Sequence, residues 1–446
     1  MGESAVLNRI MVRKLFGSRT YDIDLNEFYP TVLTGANGTG KSTILRLVNA
    51  VSNGDLRTLL TAPVDQLVLN FNRMPPFILT KHPKKVTIES GANIHELPAL
   101  PSLKDTPDRI WGAVNYVLDR KFSGAKPGRN VEHILMNYYE ESGLPYDQYR
   151  EILRALSKFD LGAFEFPDWF AELRTSFPVL FITDQRLVVE PSRMGKKYAG
   201  SNDIKNSRLA VEAASNHISS AMQRADSDYA RASQTQDRRF PRDVLHAMRE
   251  KRAVTDSQLA RLIEQVDNRR SALLQVGLLD MDSSFEPILE VDSLANAEVR
   301  PVIATFLRSS LRKLQVLEDI SRRLQAFKSF LDSRFSAKKM EFNRGEGFHF
   351  RLPSGAVIQP AQLSSGEQQM LVLAYEILFK AEPGTLVIID EPEISLHVLW
   401  QDALIDNLNK MGGPSNLQFL MATHSPTILA SHPETERSLD EGQQDA

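Results

Sequence analysis

Residues 35–42 read Gly-Ala-Asn-Gly-Thr-Gly-Lys-Ser, and this stretch decides the fold. It satisfies the pattern G-x-x-x-x-G-K-[ST] of a phosphate-binding loop, which requires a strand before it and a helix after it. The apolar segment 30–34 leads into the loop, and residues 43–51 have the apolar spacing of a helix. Because both flanking elements are present, we expect a phosphate-binding loop rather than a chance glycine-rich turn.

The residue types in this loop suit a bound triphosphate. Glycines let successive backbone N–H groups approach the phosphate oxygens, which side chains would block. Lys41 supplies a cation for the β- and γ-phosphates, Ser42 offers a hydroxyl to Mg²⁺, and the next helix points its positive end at the anion. We therefore predict that ATP and Mg²⁺ bind at Gly35, Ala36, Asn37, Gly38, Thr39, Gly40, Lys41, Ser42 and Thr43.

The second chemical signal is the apolar strand 386–389, which ends in Asp390 and Glu391. Adjacent carboxylates beside a buried strand are costly unless a cation or a polar cleft compensates them. By itself this pattern could also be the acidic N-cap of a helix. Together with the phosphate-binding loop, it predicts that Asp390 joins Ser42 as a metal ligand and that Glu391 is the general base that orients the attacking water.

The composition excludes several other kinds of chemistry. The chain has 446 residues, a formal net charge of −3 and no cysteine. Disulfides, zinc ribbons, iron–sulfur clusters and thiol nucleophiles are thereby excluded, and the histidines show no metal-ligand spacing. The sequence also shows no basic-then-apolar leader and no run of eighteen apolar residues. We therefore expect a cytoplasmic protein of about three domains that does not associate with membranes.

A serine–glycine segment opens another predicted helix, at residues 366–379. Residues 363–368 read Leu-Ser-Ser-Gly-Glu-Gln, and either serine would cap the helix or bind an anion there. The segment resembles the Leu-Ser-Gly-Gly-Gln signature of the ATP-binding-cassette (ABC) superfamily, specifically the branch with the SMC proteins and the OLD-type ATPases. Ser365 stands in place of the first glycine. The resemblance implies that Ser364, Ser365 and Gly366 cap the γ-phosphate bound by another subunit.

Two further segments extend this resemblance. Residues 393–397 follow the acidic pair where the family has its D-loop, and the strand-like segment 417–422 leads to His424 at the position of the family's switch histidine. The resemblance implies that His424 contacts the γ-phosphate. The predicted catalytic residues are therefore Glu391, His424 and Lys41.

Three aromatic or imidazole side chains have two interpretations each. His397 is either structural or part of the packing of the D-loop. Phe16 and Tyr21 precede the phosphate-binding loop and could stack on adenine, but a core aromatic fits either position at least as well. We assign none of the three to the site.

The order of the motifs predicts that the ATPase head is split. Several hundred residues separate Lys41 from Ser364, and the sequence between them is mostly helical. We predict an α/β fold: a split ABC-type ATPase head of the P-loop NTPase class, with a helical insertion and a short antiparallel coiled-coil arm. The expected segments are 1–97 (N-terminal half of the head), 98–178 (helical insertion), 179–190 (a head strand), 191–338 (helical and coiled-coil arm), 339–430 (C-terminal half of the head) and 431–446 (polar tail).

The end of the arm has two notable patterns. Apolar residues recur at the spacing of a coiled-coil seam, for which a helix at about 204–236 is the expected partner, and they are Leu317, Ile320, Leu324, Phe327 and Leu331. Residues 301–340 also contain nine basic residues and three acidic ones. This excess of positive charge would attract DNA or an acidic protein, but a solvated coiled-coil face explains it equally well.

The tail bears on function through a further resemblance. OLD nucleases resemble this head but continue into a C-terminal Toprim domain, whereas residues 431–446 are too few to fold into one. The chain thus looks like a stand-alone ATPase subunit of a bacterial anti-phage system, first of the PARIS ATPase family and next of the Septu ATPase family. This resemblance implies self-association into a dimer or a higher oligomer, control of a separate toxic Toprim nuclease, and a phage-encoded acidic or DNA-mimicking trigger.

The alternatives come from other functional classes. One is an SMC- or RecF-like DNA-binding ATPase that works in DNA repair, and another is a Septu-type ATPase with an HNH nuclease partner. Long-armed repair relatives usually carry a cysteine hook, which this cysteine-free chain lacks. A transporter motor is disfavoured, because its signature follows the phosphate-binding loop much more closely in sequence.

Overall fold

The computed structural model describes residues 5–98, 113, 116, 131–142, 145–146, 148–150, 152, 166–183, 210–249, 254–280, 299–440 and 443–444, apart from 28, 336, 395 and 397. Two compact units are present. The first comprises Met1–Asp184 and Lys380–Ala446, and the second comprises Gln185–Phe379. The position of His397, and much of the predicted insertion 98–178, lie outside the described residues.

The strands form three sheets. They are β1 (Leu7–Leu15), β2 (Arg19–Asp24), β3 (Thr31–Thr34), β4 (Gln66–Phe71), β5 (Phe77–Lys81), β6 (Lys85–Ser90), β7 (Asn93–Pro98), β8 (Val179–Ile182), β9 (Lys339–Asn343), β10 (Gly347–Arg351), β11 (Val357–Ile358), β12 (Leu386–Asp390), β13 (Gln418–Ala422), β14 (Glu436–Ser438) and β15 (Gln443–Gln444). The first unit contains a sheet in the order β15-β2-β1-β4-β5-β6-β7 and another in the order β14-β3-β13-β12-β8. The second unit contains β11-β10-β9.

The helices are distributed over both units. They are α1 (Lys41–Asn53), α2 (Leu56–Thr61), α3 (Val131–Ser142), α4 (Asp168–Ser176), α5 (Ala210–Arg249), α6 (Asp256–Gln275), α7 (Arg300–Gln315), α8 (Glu318–Arg334), α9 (Ser365–Tyr375), α10 (Val398–Asp402), α11 (Leu404–Gly412) and α12 (Pro426–Leu429). None of the helices that the structure describes has the length and apolar composition of a membrane span.

The five-stranded sheet of the first unit is parallel throughout. Strand β3 pairs with β13, and β13 pairs with β12, so strands from opposite ends of the sequence are neighbours. Every residue of β12 and β13 is buried, as expected for parallel strands that are covered on both faces. This sheet confirms the predicted α/β fold with a split P-loop head.

Helix α1 follows β3 and packs on this parallel sheet. Its apolar residues, including Ile44, Leu45 and Val48, are fully buried in a core that the seven-stranded antiparallel sheet shares. The helix ends at Gly54, whose left-handed backbone (φ 68°) lets its N–H bond back to the last turn. The loop before α1 therefore connects the carboxyl end of a buried strand, β3, to the first turn of a well-packed helix.

The predicted polar tail is partly folded. Strand β14 pairs with β3 in the parallel sheet, and β15 pairs with β2 in the antiparallel sheet. Both strands are very short, but an existing sheet edge already offers backbone donors and acceptors, so two or three residues can pair with it. The tail therefore extends two sheets instead of forming a domain of its own.

In the second unit, α5 and α7 form an antiparallel pair. The Phe240 and Phe306 rings lie 6.1 Å apart, and Lys313 Nζ lies 2.6 Å from Asp237 Oδ1. The expected partner helix therefore exists as α5, but it packs mainly on α7 rather than on α8, which carries most of the apolar seam.

The seam predicted for a coiled coil packs differently in the structure. The helix breaks at Val316 and Leu317, so residues 301–340 do not form one helix. In α8, the buried Phe327 ring lies 5.7 Å from Phe348 of β10 and 5.6 Å from Phe379. An apolar stripe with this spacing can cover a sheet as well as another helix. The stripe of α8 packs on the small sheet.

Candidate functional site

The phosphate-binding loop connects β3 to α1, as predicted. Gly40 is the N-cap of α1 and has φ 103°, a conformation that favours glycine. A Cβ at Gly40 would also clash with the side chain of Leu15. The predicted binding residues 35–43 lie in this loop and in the first turn of α1. Sequence alone located this loop because the motif is continuous in the chain.

Two side chains from β2 support the loop. Arg19 Nη1 donates to Gly38 O at 2.7 Å, and Tyr21 Oη donates to Thr39 O at 2.8 Å. Tyr21 is buried, so it positions the loop and has no face free to stack on adenine. Phe16 is half exposed and lies next to Gly40.

Lys41 is held by its own loop. Its side chain is buried, and Nζ donates to Gly35 O at 2.7 Å and to Ala36 O at 3.4 Å. Burial lowers the pKa of Lys41, and the carboxylates of Glu391 and Asp440 partly oppose this change. The ammonium therefore lies among carbonyl oxygens that phosphate oxygens could replace with a stronger, charge-assisted interaction.

The structure brings Ser42 and Asp390 together from elements far apart in sequence. Ser42 Oγ donates to Asp390 Oδ1 at 3.0 Å, and Asp390 is buried at the end of β12. A hydroxyl and a carboxylate are hard oxygen donors that suit Mg²⁺, which commonly takes its remaining ligands from water and substrate phosphates. Among the described residues there is no group of three His, Asp or Glu side chains placed to hold a metal by themselves. The donor set fits Mg²⁺ bound together with a nucleotide.

Glu391 has unusual backbone and electrostatic properties. Its φ is 50°, in the left-handed region, and its N–H donates to Ala422 O at 3.0 Å. Non-glycine residues in this conformation are uncommon and often lie at functional sites. Burial, then the carboxylates of Glu393 and Asp390, raise the pKa of Glu391 to about 7, although Lys41 opposes the rise. Glu391 Oε1 also lies 3.4 Å from His424 Nε2.

Glu393 is a residue of the site that sequence reasoning missed. Its Oε1 accepts the backbone N–H of His424 at 2.6 Å. Its other oxygen, Oε2, is buried and has no hydrogen-bond partner among the described residues. The sequence signal was a third carboxylate two positions after Glu391, but a loop has no fixed period that would show where it points.

Asp440 was also missed, because its segment was assigned to the polar tail. Its Oδ1 accepts the backbone N–H of Ala36 at 2.8 Å, inside the phosphate-binding loop. Pairing of β14 with β3, followed by the Leu439 N–H donating to Thr34 O, carries Asp440 to this position. The loop thus already has one carboxylate on its backbone N–H groups.

The signature-like segment lies in the second unit. Ser364 caps α9 in a capping box: its backbone N–H donates to Glu367 Oε2 at 2.9 Å, and its hydroxyl accepts the Glu367 N–H at 3.4 Å. Lys338 Nζ lies 2.6 and 2.7 Å from the two carboxylate oxygens of Glu367. Burial favours a higher pKa for Glu367, but bonds from Lys338 and Ser364 outweigh it, and the pKa is lowered. Ser365 and Gly366 form the first turn.

Comparisons with known proteins found similar solved structures and one matching family model. An SMC head domain with an extended coiled coil bound to the C-terminal domain of ScpA, from Pyrococcus furiosus, is 13% identical, covers 96% of this chain and 91% of its own, and has a TM-score of 0.37. The SMC head domain from Thermotoga maritima is 11% identical, covers 97% of this chain and 94% of its own, and has a TM-score of 0.33. An SMC head domain with a coiled coil and joint, from Pyrococcus yayanosii, is 13% identical, covers 96% of this chain and 93% of its own, and has a TM-score of 0.34. No curated protein matches the sequence.

A family model gives the more specific result. The model described as "AAA domain, putative AbiEii toxin, Type IV TA system" matches residues 198–430. This range includes the signature-like segment, the acidic pair and His424, and it covers more than half of the chain. The protein therefore belongs to this AAA domain family.

Proposed function

We propose that the protein is an ATP hydrolase whose active sites form when copies of the chain associate around bound ATP, and that it controls a separate nuclease effector in anti-phage defence. The observation that carries the enzymatic part is the convergence of Ser42, Asp390 and Glu391 beside the phosphate-binding loop. Ser42 and Asp390 are in hydrogen-bond contact although they are 348 positions apart. A purely structural loop would not need this convergence of acidic groups in a partly buried cleft.

Each residue has a role that follows from its position. Lys41 exchanges the carbonyl oxygens of Gly35 and Ala36 for the β- and γ-phosphate oxygens. Ser42 and Asp390 would hold Mg²⁺, which neutralises charge on the phosphates when bound. Glu391 accepts a proton from the attacking water as the water oxygen bonds to phosphorus and the bond to the leaving ADP oxygen breaks.

Glu393 and His424 position this base. Glu393 holds the backbone of His424, and the His424 imidazole lies close to Glu391. Burial of Glu391, and then the negative charge of Glu393, raise the pKa of Glu391 towards neutrality, which suits a group that must both accept and release a proton near pH 7. His424 is therefore placed to link the state of the γ-phosphate to the D-loop.

The capped start of α9 supports assembly of the site between subunits. Ser364 caps the N-terminus of an eleven-residue helix, where an anion is favourable, and its hydroxyl would exchange its present bond to Glu367 Oε2 (2.9 Å) for a phosphate oxygen. The resemblance of this segment to the ABC signature supports a role for it at the γ-phosphate of a partner chain. We therefore propose that a dimer is the minimum active form and that higher oligomers are built from the same contact.

The family to which the chain belongs supports the defence part of the proposal. The family description names a toxin of a type IV toxin–antitoxin system, which fits control of a harmful activity. We therefore expect that co-expression of the chain with its neighbouring genes and purification through this chain will retain a Toprim nuclease. The nuclease should be inactive in that complex. Recovery of replication or repair proteins instead, with no nuclease, would favour the DNA-repair alternative.

A pH profile checks the assignment of the general base. Because Glu391 must be ionised to accept a proton, kcat/KM for ATP should rise with pH and level off above an apparent pKa of about 7. Glu393→Gln removes a negative charge that raises this pKa, so the rise of kcat/KM with pH should move to lower pH. Glu89→Gln changes a half-buried glutamate of β6, is the matched control, and should leave the pH profile unchanged. An unchanged pH profile in Glu393→Gln would contradict the proposal that the charge of Glu393 raises the pKa of Glu391.

A further inference from the structure

The second unit contains a cavity that the proposed hydrolysis does not use. Its volume is about 790 Å³, and it lies between α5, the start of α6 and α7. This volume falls within the range of small-molecule binding sites. Because all of its described lining belongs to the helical unit, the cavity is a site distinct from the phosphate-binding loop.

Arginine dominates the charge of this cavity. Arg239 and Arg242 enter it from α5, and Arg308 and Arg312 enter it from α7. The described lining includes one carboxylate, Asp243, which lies 3.7 Å from Arg312 Nη1 and 3.9 Å from Arg242 Nε. Neither Arg239 nor Arg308 has a carboxylate within ion-pair distance among the described residues. The cavity therefore has positive charge that the described part of the protein does not neutralise.

Most other basic residues of segment 301–340 are paired within the unit. Ion pairs shorter than about 3 Å join Lys313 to Asp237, Arg322 and Arg323 to Asp319, Lys328 to Asp332, and Lys338 to Glu367. The continuous basic face that the sequence allowed is thus interrupted by carboxylates. Arg308 and Arg312 are turned into the cavity instead. Positive charge is therefore concentrated around this one cavity and is not spread along the helices.

The remaining walls also favour a small anion with an apolar part. Gln258 lies in the first turn of the twenty-residue α6, and Pro301 lies in the first turn of the sixteen-residue α7. The first turns of both helices, which carry the positive ends of the helix dipoles, therefore form part of the cavity wall. Ala247, Val254 and Pro301 supply apolar lining suited to a ring or a sugar edge.

We propose that this cavity binds a small phosphorylated ligand of nucleotide size, at a second anion site separate from the site of ATP hydrolysis. The arginine guanidinium groups would hold phosphate oxygens through bidentate, charge-assisted hydrogen bonds. A nucleic-acid duplex is disfavoured, because it needs a long basic surface, whereas these four arginines lie around one open cavity between three helices.

The test uses the full-length chain with Lys41→Ala, which disables the phosphate-binding loop. Inorganic triphosphate and ADP are titrated into this chain by calorimetry. We expect one binding event for each probe, weakened by about 100-fold when Arg239→Gln and Arg308→Gln are added, because two charge-assisted contacts are lost. Arg238→Gln is the matched control on α5, since Arg238 is exposed and does not line the cavity.

The outcomes separate the alternatives. Absence of binding in the Lys41→Ala chain, or equal weakening by Arg238→Gln, overturns the proposal. Tight binding of duplex DNA without binding of either small probe overturns it in favour of a nucleic-acid surface. Thermal unfolding of each variant must match that of the Lys41→Ala parent, which is expected because Arg239 and Arg308 are exposed and replaced by a neutral polar residue. ATP hydrolysis by the wild-type chain is measured separately, so failure here leaves the proposed function intact.

Discussion

Glu391→Gln should retain ATP binding and lose hydrolysis by about 100- to 10,000-fold, the usual contribution of a positioned general base. Glutamine keeps the size and hydrogen-bonding oxygen of glutamate but cannot accept the proton of the attacking water. The contacts of Lys41 and Ser42 in the loop do not involve the changed group. Trapped ATP should therefore accumulate together with the associated form of the protein, which can be measured by nucleotide retention and light scattering.

A matched control separates loss of the base from loss of the fold. Glu346→Gln changes an exposed glutamate in the second unit and should hydrolyse ATP at the wild-type rate. If Glu391→Gln also hydrolyses normally, Glu391 is not the general base. If Glu391→Gln fails to bind ATP, the Glu391 carboxylate is needed for ATP binding by the loop, which the hydrogen bonds of Lys41 do not explain.

The stability of the same variant has a definite dependence on pH. The pKa of Glu391 in the folded chain, about 7, lies above its ordinary value of 4.5. A raised carboxyl pKa contributes stability that is fully present below the ordinary value and is lost as pH rises through 7. Glu391→Gln does not undergo this loss. Its unfolding temperature should therefore rise relative to wild type between pH 5 and pH 8, which shows that the inactive variant is folded.

Ser364→Arg should leave ATP binding by the isolated chain unchanged but lower hydrolysis by at least about 100-fold. Ser364 lies in the second unit, outside the loop that holds Lys41. A long side chain at the N-cap position of α9 removes the cap and sterically blocks the approach of a partner's γ-phosphate. Association in the presence of ATP should also be lost, which analytical ultracentrifugation can measure.

Two controls distinguish blocked engagement from a damaged helix. Ser364→Asn keeps a good N-cap without adding a long side chain, so α9 should stay intact. Ser354→Arg places the same cation on an exposed turn of the second unit and should have no effect on hydrolysis. If Ser354→Arg reduces hydrolysis as much as Ser364→Arg, added charge and not position is responsible.

The parts of the fold that sequence predicted are those with a continuous local signal. The phosphate-binding loop is one uninterrupted motif, and β12 and β13 are apolar runs of the kind that buried parallel strands require. We expected these strands to lie in one sheet with β3 because one nucleotide site needs both the loop that follows β3 and the acidic pair that follows β12. These features can be predicted without knowing which residue any particular side chain contacts.

The parts that sequence did not predict depend on long-range contacts. The break at Val316 has no glycine or proline to mark it, so the helical pattern continues through it. The spacing of apolar residues in α8 predicts an apolar face on this helix but does not show which element packs on that face. Asp440 reaches Ala36 only because β14 adds to a sheet edge, and the three residues of β14 have no apolar alternation.

The charge pattern shows the same limit. Sequence gives the number of basic residues in segment 301–340 but not their partners, and Asp237, which neutralises Lys313, lies on a different helix. Glu393 lies only two positions after the predicted base in sequence, yet its contact with the backbone of His424 depends on how two loops meet. The electrostatics of the site therefore had to come from the structure.

The central claim is that one chain supplies the phosphate-binding loop and its partner supplies the signature-like segment, and mixing two inactive variants tests it. Lys41→Ala lacks a working loop, and Ser364→Arg lacks a working signature, so neither should hydrolyse ATP alone. In an equal mixture, half of the dimers should be mixed, and each of these has one intact site of two, which restores about one quarter of wild-type hydrolysis. A mixture that stays as inactive as its components, or full activity of Ser364→Arg alone, would contradict a site shared between subunits.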